Sequence, residues 1–305
     1  MRVEYIKAYL DHCREKGYKE GTLQCKARLL SRFADWCEER SINTIDQVQP
    51  HILKRYQRHL YHYRSESGEA LNFELQRRGI SEVKSFFLYL SLEGHIQSDP
   101  GVGIELPRKP RRLPAVLSVA EIESILKQPP DTLLGIRDRA LLELLYATGI
   151  SREECLNLTT RDLDLSAGWI QIKMGLREKD RSVPLIKRAI YWLSKYLEEI
   201  RPLLAADPQE ERVFLGRDGK ALPGPGLGCL VSHYIKAAGI DKRGAFRLFR
   251  NSLTALLIEG GMDLRYVQEI LGHVALESTR AYTRVSIGKL KEVHKKTHPA
   301  GRGKK

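Results

Sequence analysis

The sequence predicts a mainly α protein in two parts: an N-terminal helical bundle, then a mostly helical domain with one small antiparallel β-sheet. Three observations lead there. Apolar residues recur at three- and four-residue spacing along most of the 305 residues. Strict alternation is confined to residues 169–173 and 181–185, which read as a hairpin. Between the two parts, Pro100, Pro107, Pro110 and Pro114 interleave with Arg108, Lys109, Arg111 and Arg112. Proline removes a backbone donor and breaks helices, so residues 98–114 form a basic linker.

In the first part, residues 3–14 make a helix that Gly17 ends. A second begins at Thr22. Leu23, Ala27, Leu30, Ala34 and Cys37 share its apolar face, which Phe33 and Trp36 widen. Lys26, Arg28 and Arg32 occupy its other faces. A third helix covers residues 51–62. A fourth, over 69–94, spaces Ile80, Val83, Phe87 and Leu90 at three, four and three. One apolar stripe per helix and short loops describe a bundle, assigned to residues 1–97.

The second part opens at Ser118, whose partner Glu121 completes a capping box. Residues 137–148 form an apolar helix that stops at Gly149. After the hairpin, 186–200 is an amphipathic helix, and 213–215 is an apolar stretch before a turn. The segment 247–282 then reads as helix, turn, helix, turn and short helix. Leu253, Leu256, Leu257 and Ile258 face the first of these, and Gly260 and Gly261 stop it. Asp263 caps the next, whose apolar positions are Leu264, Val267, Ile270 and Leu271. Gly272 ends it, and Ser278 caps the third.

Lys plus Arg number 51 against 38 Asp plus Glu, a formal charge of +13. That excess suits a polyanionic partner, nucleic acid first. No apolar run approaches the ~20 residues of a membrane span, and residues 1–16 lack the continuous apolar core of a signal peptide. Cys13, Cys25, Cys37, Cys155 and Cys229 are odd in number and widely spaced, as for reduced thiols in a cytoplasmic protein. His59 and His62 have no second ligand pair, so no metal is expected.

Four polar residues cluster near the ends of the 247–282 elements. Arg247 and Arg250 lie three apart, on one helical face. His273 follows a helix-stopping glycine, and Tyr282 comes nine residues later. Two guanidiniums, an imidazole and a phenol can hold and attack a phosphodiester, because the arginine fork matches phosphate oxygens. Tyrosine, with a free pKa of roughly 10, needs neighbouring positive charge to become a nucleophile. The plainer alternative is a helix-turn-helix DNA-binding regulator with an incidental tyrosine.

This pattern resembles the signature of the tyrosine recombinases, the phage-integrase or Xer-type family, at Arg250, at Leu271-Gly272-His273 and at Tyr282. The first part is similar to the family's core-binding (SAM-like) domain at Phe33 and Trp36 and at 86–90. The segment from Asp99-Pro100 to Pro107 looks like its interdomain linker. The resemblance implies a catalytic domain over 115–286 and a basic tail over 287–305.

It also implies site-specific recombination or integration of DNA. A tyrosine attacks the scissile phosphate, leaves a 3′-phosphotyrosyl link and conserves the bond energy, so no cofactor is required. The implied partner is double-stranded DNA, with self-association into a dimer or tetramer on it, or assembly with another recombinase.

The chain departs from the family at three places. Aligned without a gap, Ser151 stands where the family has its first arginine. Arg152 is one position late, about 100° round a helix. The hairpin lysine position falls on Leu176, with Lys173, Arg177 and Lys179 nearby, and Arg247 replaces a histidine. The candidate catalytic residues are therefore Tyr282, Arg250, His273 and Arg247, with Arg152 and Lys173 as substitutes. The candidate DNA contacts are Lys26, Arg28, Arg32, Arg108, Lys109, Arg111 and Arg112. The alternative implied by the departures is a catalytically impaired, DNA-binding partner of an active recombinase.

Overall fold

The computed structural model describes residues 3–65, 68–107, 114–173 and 180–272. The chain divides into two compact units, residues 1–111 and 112–305.

Unit 1 is built from α1 (Val3–Glu15), α2 (Glu20–Glu38), α3 (Pro50–His62) and α4 (Phe73–Leu92). Its core is aromatic: Phe33, Tyr56, Phe86 and Phe87 are fully buried. Phe33 meets the Tyr56 ring edge-on at 4.7 Å and the Phe87 ring at 6.0 Å. Edge-to-face contact suits the ring quadrupoles. α4 starts four residues later than its pattern predicts. Arg64 bridges to Ala70, and Asn72 accepts the Glu74 amide at 2.9 Å, which fixes the helix start there.

Lys26 corrects a sequence expectation. Its ammonium does not face outward as a DNA contact but turns into the bundle. It donates to both Glu82 oxygens at 2.8 and 3.0 Å and to the Tyr9 hydroxyl at 3.2 Å. A lysine stem lies along the apolar surface and reaches a buried carboxylate more readily than periodicity suggests. Arg28 stays exposed on the same helix. Arg32 is half-buried and stacks on the Tyr63 ring, 5.5 Å from its centre.

Unit 2 has eight helices and three strands among the described residues. These are α5 (Val119–Leu126), α6 (Leu133–Thr148), α7 (Arg152–Asn157), β1 (Leu163–Asp164), β2 (Trp169–Ile172), β3 (Arg181–Pro184), α8 (Lys187–Lys195), α9 (Arg201–Leu204), α10 (Gly224–Ala237), α11 (Ala245–Glu259) and α12 (Leu264–Leu271). The sheet is antiparallel in order β1-β2-β3, with Ile170 opposite Val183 and Ile172 opposite Arg181.

The apolar helix α6 sits at the centre, with Leu141, Leu142, Leu144 and Leu145 buried. Even its Glu143 is buried, held by Arg139 at 2.8 Å and Arg188 at 2.8 Å. α6 begins four residues before the predicted start, because Thr132 caps it by accepting the Gly135 amide at 3.1 Å. A side chain at Gly135 would meet the Pro130 carbonyl at 1.9 Å, so glycine is required.

The capping box at Ser118 and Glu121 forms as read. The helix expected over 186–200 runs on to Leu204. It widens into a π turn over Tyr196–Ile200 just before Pro202. Proline cannot donate and clashes with the carbonyl four residues back, which a wider turn relieves. α10 carries no prediction: its glycines and Pro225 mask the helical face of Leu227, Val231, Tyr234 and Ile235. The five cysteines are free thiols, with Cys229 exposed. No described helix is long and apolar enough to cross a membrane.

Candidate active site

Gly149 brings three helices together. It ends α6 in the left-handed conformation, φ 59°, which glycine adopts without strain. A Cβ there would come within 3.1 Å of Leu253 on α11 and of Leu271 on α12, and 3.5 Å of the Arg250 backbone. The missing side chain therefore lets α11 and α12 pack on the end of α6. Gly260 and Gly261 close α11, and the Asp263 carboxylate caps α12 by accepting the Arg265 amide at 2.8 Å. Gly272, φ 66°, ends α12.

Arg250 projects from α11 into this junction and is half-buried. Its Nη1 donates to the Gly149 carbonyl at 3.0 Å, and its Nη2 donates to the Leu271 carbonyl. Both acceptors are last-turn carbonyls that a helix leaves without internal partners, so the guanidinium joins the ends of α6 and α12. Arg247 lies one turn earlier on α11 and is exposed.

Glu154 lies beneath this junction. Ser151 caps α7 in a reciprocal box: the Glu154 carboxylate accepts the Ser151 amide at 2.6 Å, and Ser151 Oγ accepts the Glu154 amide at 3.2 Å. Its other oxygen accepts Arg181 Nη1 at 2.7 Å, and Arg250 Nη1 stands 3.9 Å from the first. Burial opposes ionisation of Glu154. The hydrogen bonds from Arg181 and Ser151, with the charges of Arg181 and Arg250, outweigh it and hold the carboxyl below its usual range.

Arg181 carries no role in the sequence reading beyond opening the second strand of the predicted hairpin, 181–185. In the structure it is buried on β3, and its Nε donates to the Ile270 carbonyl at 2.9 Å. The signal was available. Position 181 alternates with Ser182 as an inward-facing residue, and an arginine on the buried face of a strand must have a partner. A Cβ on Gly272 would lie 2.8 Å from Arg181 Nη1, so glycine also lets the chain pass over this guanidinium.

The remaining candidates lie elsewhere or outside the described residues. Arg152 is exposed on α7, and its guanidinium lies beside Gly228 of α10. Lys173 is tied to Asp162 at 2.6 Å. The hydrogen bond and charge of Asp162 raise the ammonium's pKa, opposite to what a proton donor near neutral pH requires. His273, Tyr282, Leu176, Arg177, Lys179, Arg108, Lys109, Arg111, Arg112, Ser278 and the tail 287–305 lie outside the described residues. Among the described residues, no three His, Cys, Asp or Glu side chains are grouped to hold a metal ion.

A helical domain built round one small sheet has counterparts among known proteins. Residues 115–288 match the phage integrase family. A tyrosine recombinase XerC 2 of Ralstonia nicotianae is 39% identical over 300 residues, spanning 98% of this chain and 86% of that protein. A tyrosine recombinase XerD of Staphylococcus epidermidis is 33% identical over 96% of this chain and 98% of its own length. The fold is shared with the XerH site-specific recombinase in a post-cleavage complex on its difH substrate. That match has a TM-score of 0.73 and 24% identity, over 89% of this chain and 78% of that one. The chain belongs to the phage integrase family of tyrosine recombinases.

Proposed function

We propose that this protein is a DNA strand transferase that cuts and rejoins double-stranded DNA at specific sites through Tyr282. The phenol oxygen attacks the scissile phosphorus and gives up its proton. The 5′ oxygen leaves and takes a proton, and a 3′-phosphotyrosyl link remains. Attack by a 5′ hydroxyl from another strand reverses the step, so the bond energy is retained without a cofactor.

Arg250 donates to the phosphate as it gains charge, the electrostatic contribution that usually dominates such catalysis. Arg247, exposed one turn away, adds a second guanidinium but no base, since arginine stays protonated. His273, the second residue beyond the Leu271 carbonyl that Arg250 holds, completes the group. The observation that carries the reading is this seating of Arg250 on the carbonyls of Gly149 and Leu271, at the chain exit that leads to His273 and Tyr282.

The rest of the chain serves the same reaction in this reading. Residues 1–97 and 115–286 each contact the duplex, and the basic linker 98–114 carries charge suited to its phosphates. The tail 287–305 contacts a neighbouring protomer in a dimer or tetramer on DNA, which acts at the nucleoid in the cytoplasm.

The test is covalent capture on a nicked suicide duplex bound by the protein. The expected result is an adduct with the native chain and none with Tyr282→Phe, at nearly equal duplex affinity. Tight binding with no adduct from the native chain would identify a DNA-binding partner of another recombinase instead.

A further inference from the structure

Arg181 is buried and lies among groups assigned to the chemistry, yet the reaction as proposed gives it nothing to do. Its position suggests a task. Glu154 is ionised with only 9% of its side chain exposed, and a buried charge must be compensated. Two guanidiniums approach it. Arg181 makes the hydrogen bond, at 2.7 Å, whereas Arg250 stands off at 3.9 Å, beyond hydrogen-bond reach. Arg250 instead donates to two neutral carbonyls.

A carboxylate is a stronger acceptor than a carbonyl. Without Arg181, Glu154 would draw Arg250 down onto itself and off the ends of α6 and α12. Arg181 also donates to Ile270, the residue before the carbonyl that Arg250 holds, so β3 and α11 fasten the last turn of α12 together.

We infer that Arg181 is a positioning residue: by occupying Glu154 and the Ile270 carbonyl from β3, it keeps Arg250 seated on Gly149 and Leu271 and aimed at the scissile phosphate. This rests on the proposed role of Arg250 in cleavage. It also gives the hairpin a mechanical connection to the active site, because β3 reaches the α12 exit through one side chain.

Five proteins on the nicked suicide duplex test it: native, Arg181→Met, Arg181→Lys, Glu154→Gln and the double variant Arg181→Met, Glu154→Gln. Arg181→Met should slow Tyr282 adduct formation by about 100-fold, the scale of losing one charge-stabilising donor, with duplex Kd changed less than about threefold. Adding Glu154→Gln should restore about tenfold, because a neutral amide no longer attracts Arg250, a coupling of the size adjacent groups show. Arg181→Lys should fall between native and Arg181→Met.

A purely structural role would leave the double variant no faster than Arg181→Met, and that result overturns the inference. So does an Arg181→Met rate within threefold of native. A readout free of catalysis is the titration of the Glu154 carboxyl carbon, followed by nuclear magnetic resonance. Arg250→Met should raise its midpoint less than Arg181→Met does, since Arg181 makes the hydrogen bond and Arg250 adds only its charge at 3.9 Å. A rise as large as that of Arg181→Met, or larger, would make Arg250 the true partner and overturn the inference. Absence of an adduct from the native chain, with the titration as expected, would remove the cleavage reading while leaving Arg181 as the residue that holds Glu154.

Discussion

Both units bury a carboxylate against cations, and they do it differently. In unit 1, Glu82 of α4 takes the Lys26 ammonium of α2 on both oxygens and the Tyr9 hydroxyl of α1 at 2.8 Å. One positive charge answers one negative charge, and three helices are tied together. Tyr9 follows suit: burial, then the charge of Glu82, pushes its phenol far above the usual tyrosine range. In unit 2, Glu154 of α7 faces Arg181 of β3 and Arg250 of α11, and those three side chains sum to one positive charge. The partners come from a strand and two helices that meet where α6 and α12 end. A matched pair closes a bundle. An unequal trio at a junction of helix ends holds one guanidinium at hydrogen-bond distance and sets another apart for a different acceptor.

The contrast breaks most sharply at Arg250. Arg250→Met should lower the rate of Tyr282 adduct formation by about 10²–10³, with a much smaller change in duplex affinity. A loss of binding equal to the loss of rate would make Arg250 an ordinary phosphate anchor. In unit 1 the effect should fall on stability. Lys26→Met leaves Glu82 with a phenol and no cation, and should cost about 2 kcal/mol in urea unfolding, below the 3–5 typical of fully buried pairs. The double change Lys26→Met, Glu82→Leu should recover most of that, because an apolar pair needs no compensation. If the Lys26→Met cost persists in the double variant, the contact was packing rather than charge.

Acid should also distinguish Glu154. Its carboxyl is held below the usual range in the folded protein. A depressed folded value means that the stabilisation is present above the unfolded pKa of about 4.3 and is lost as pH falls through the folded value. Urea midpoints measured from about pH 6 downward should therefore fall less steeply for Glu154→Gln than for the native chain. Parallel curves would mean that other carboxylates govern acid unfolding.

The smallest effect belongs to Lys173, whose side chain is 65% exposed on Asp162. Lys173→Ala should leave stability nearly unchanged and alter the adduct rate by less than about threefold. A loss of 10² or more would assign it the leaving-group proton and show that the Asp162 contact opens on DNA.

Much of the architecture was readable in one dimension, because it follows from local rules. The apolar periodicities placed α2, α11 and α12, an apolar run placed α6, and the glycines at 149, 260, 261 and 272 placed the ends of α6, α11 and α12. α10 was missed because its first turn contains the residues that usually end helices, and only burial of Leu227 and Val231 stabilises it. The early start of α6 depended on Thr132 reaching Gly135, a cap that no apolar pattern announces.

The sequence by itself determined which chemistry is available: Arg250 three residues after Arg247, a glycine before His273, and Tyr282 nine residues on. These are covalent facts of order and type. What only the tertiary structure decided is which charges meet. Lys26 looked like a surface cation and turns inward onto Glu82, and Arg181 looked like part of a strand and holds the Glu154 carboxylate. Residues 154, 181, 250 and 270 are far apart along the chain, so no spacing rule connects them. Their meeting depends on the packing of α11 and α12 against the end of α6, at a glycine that has no side chain to keep them apart.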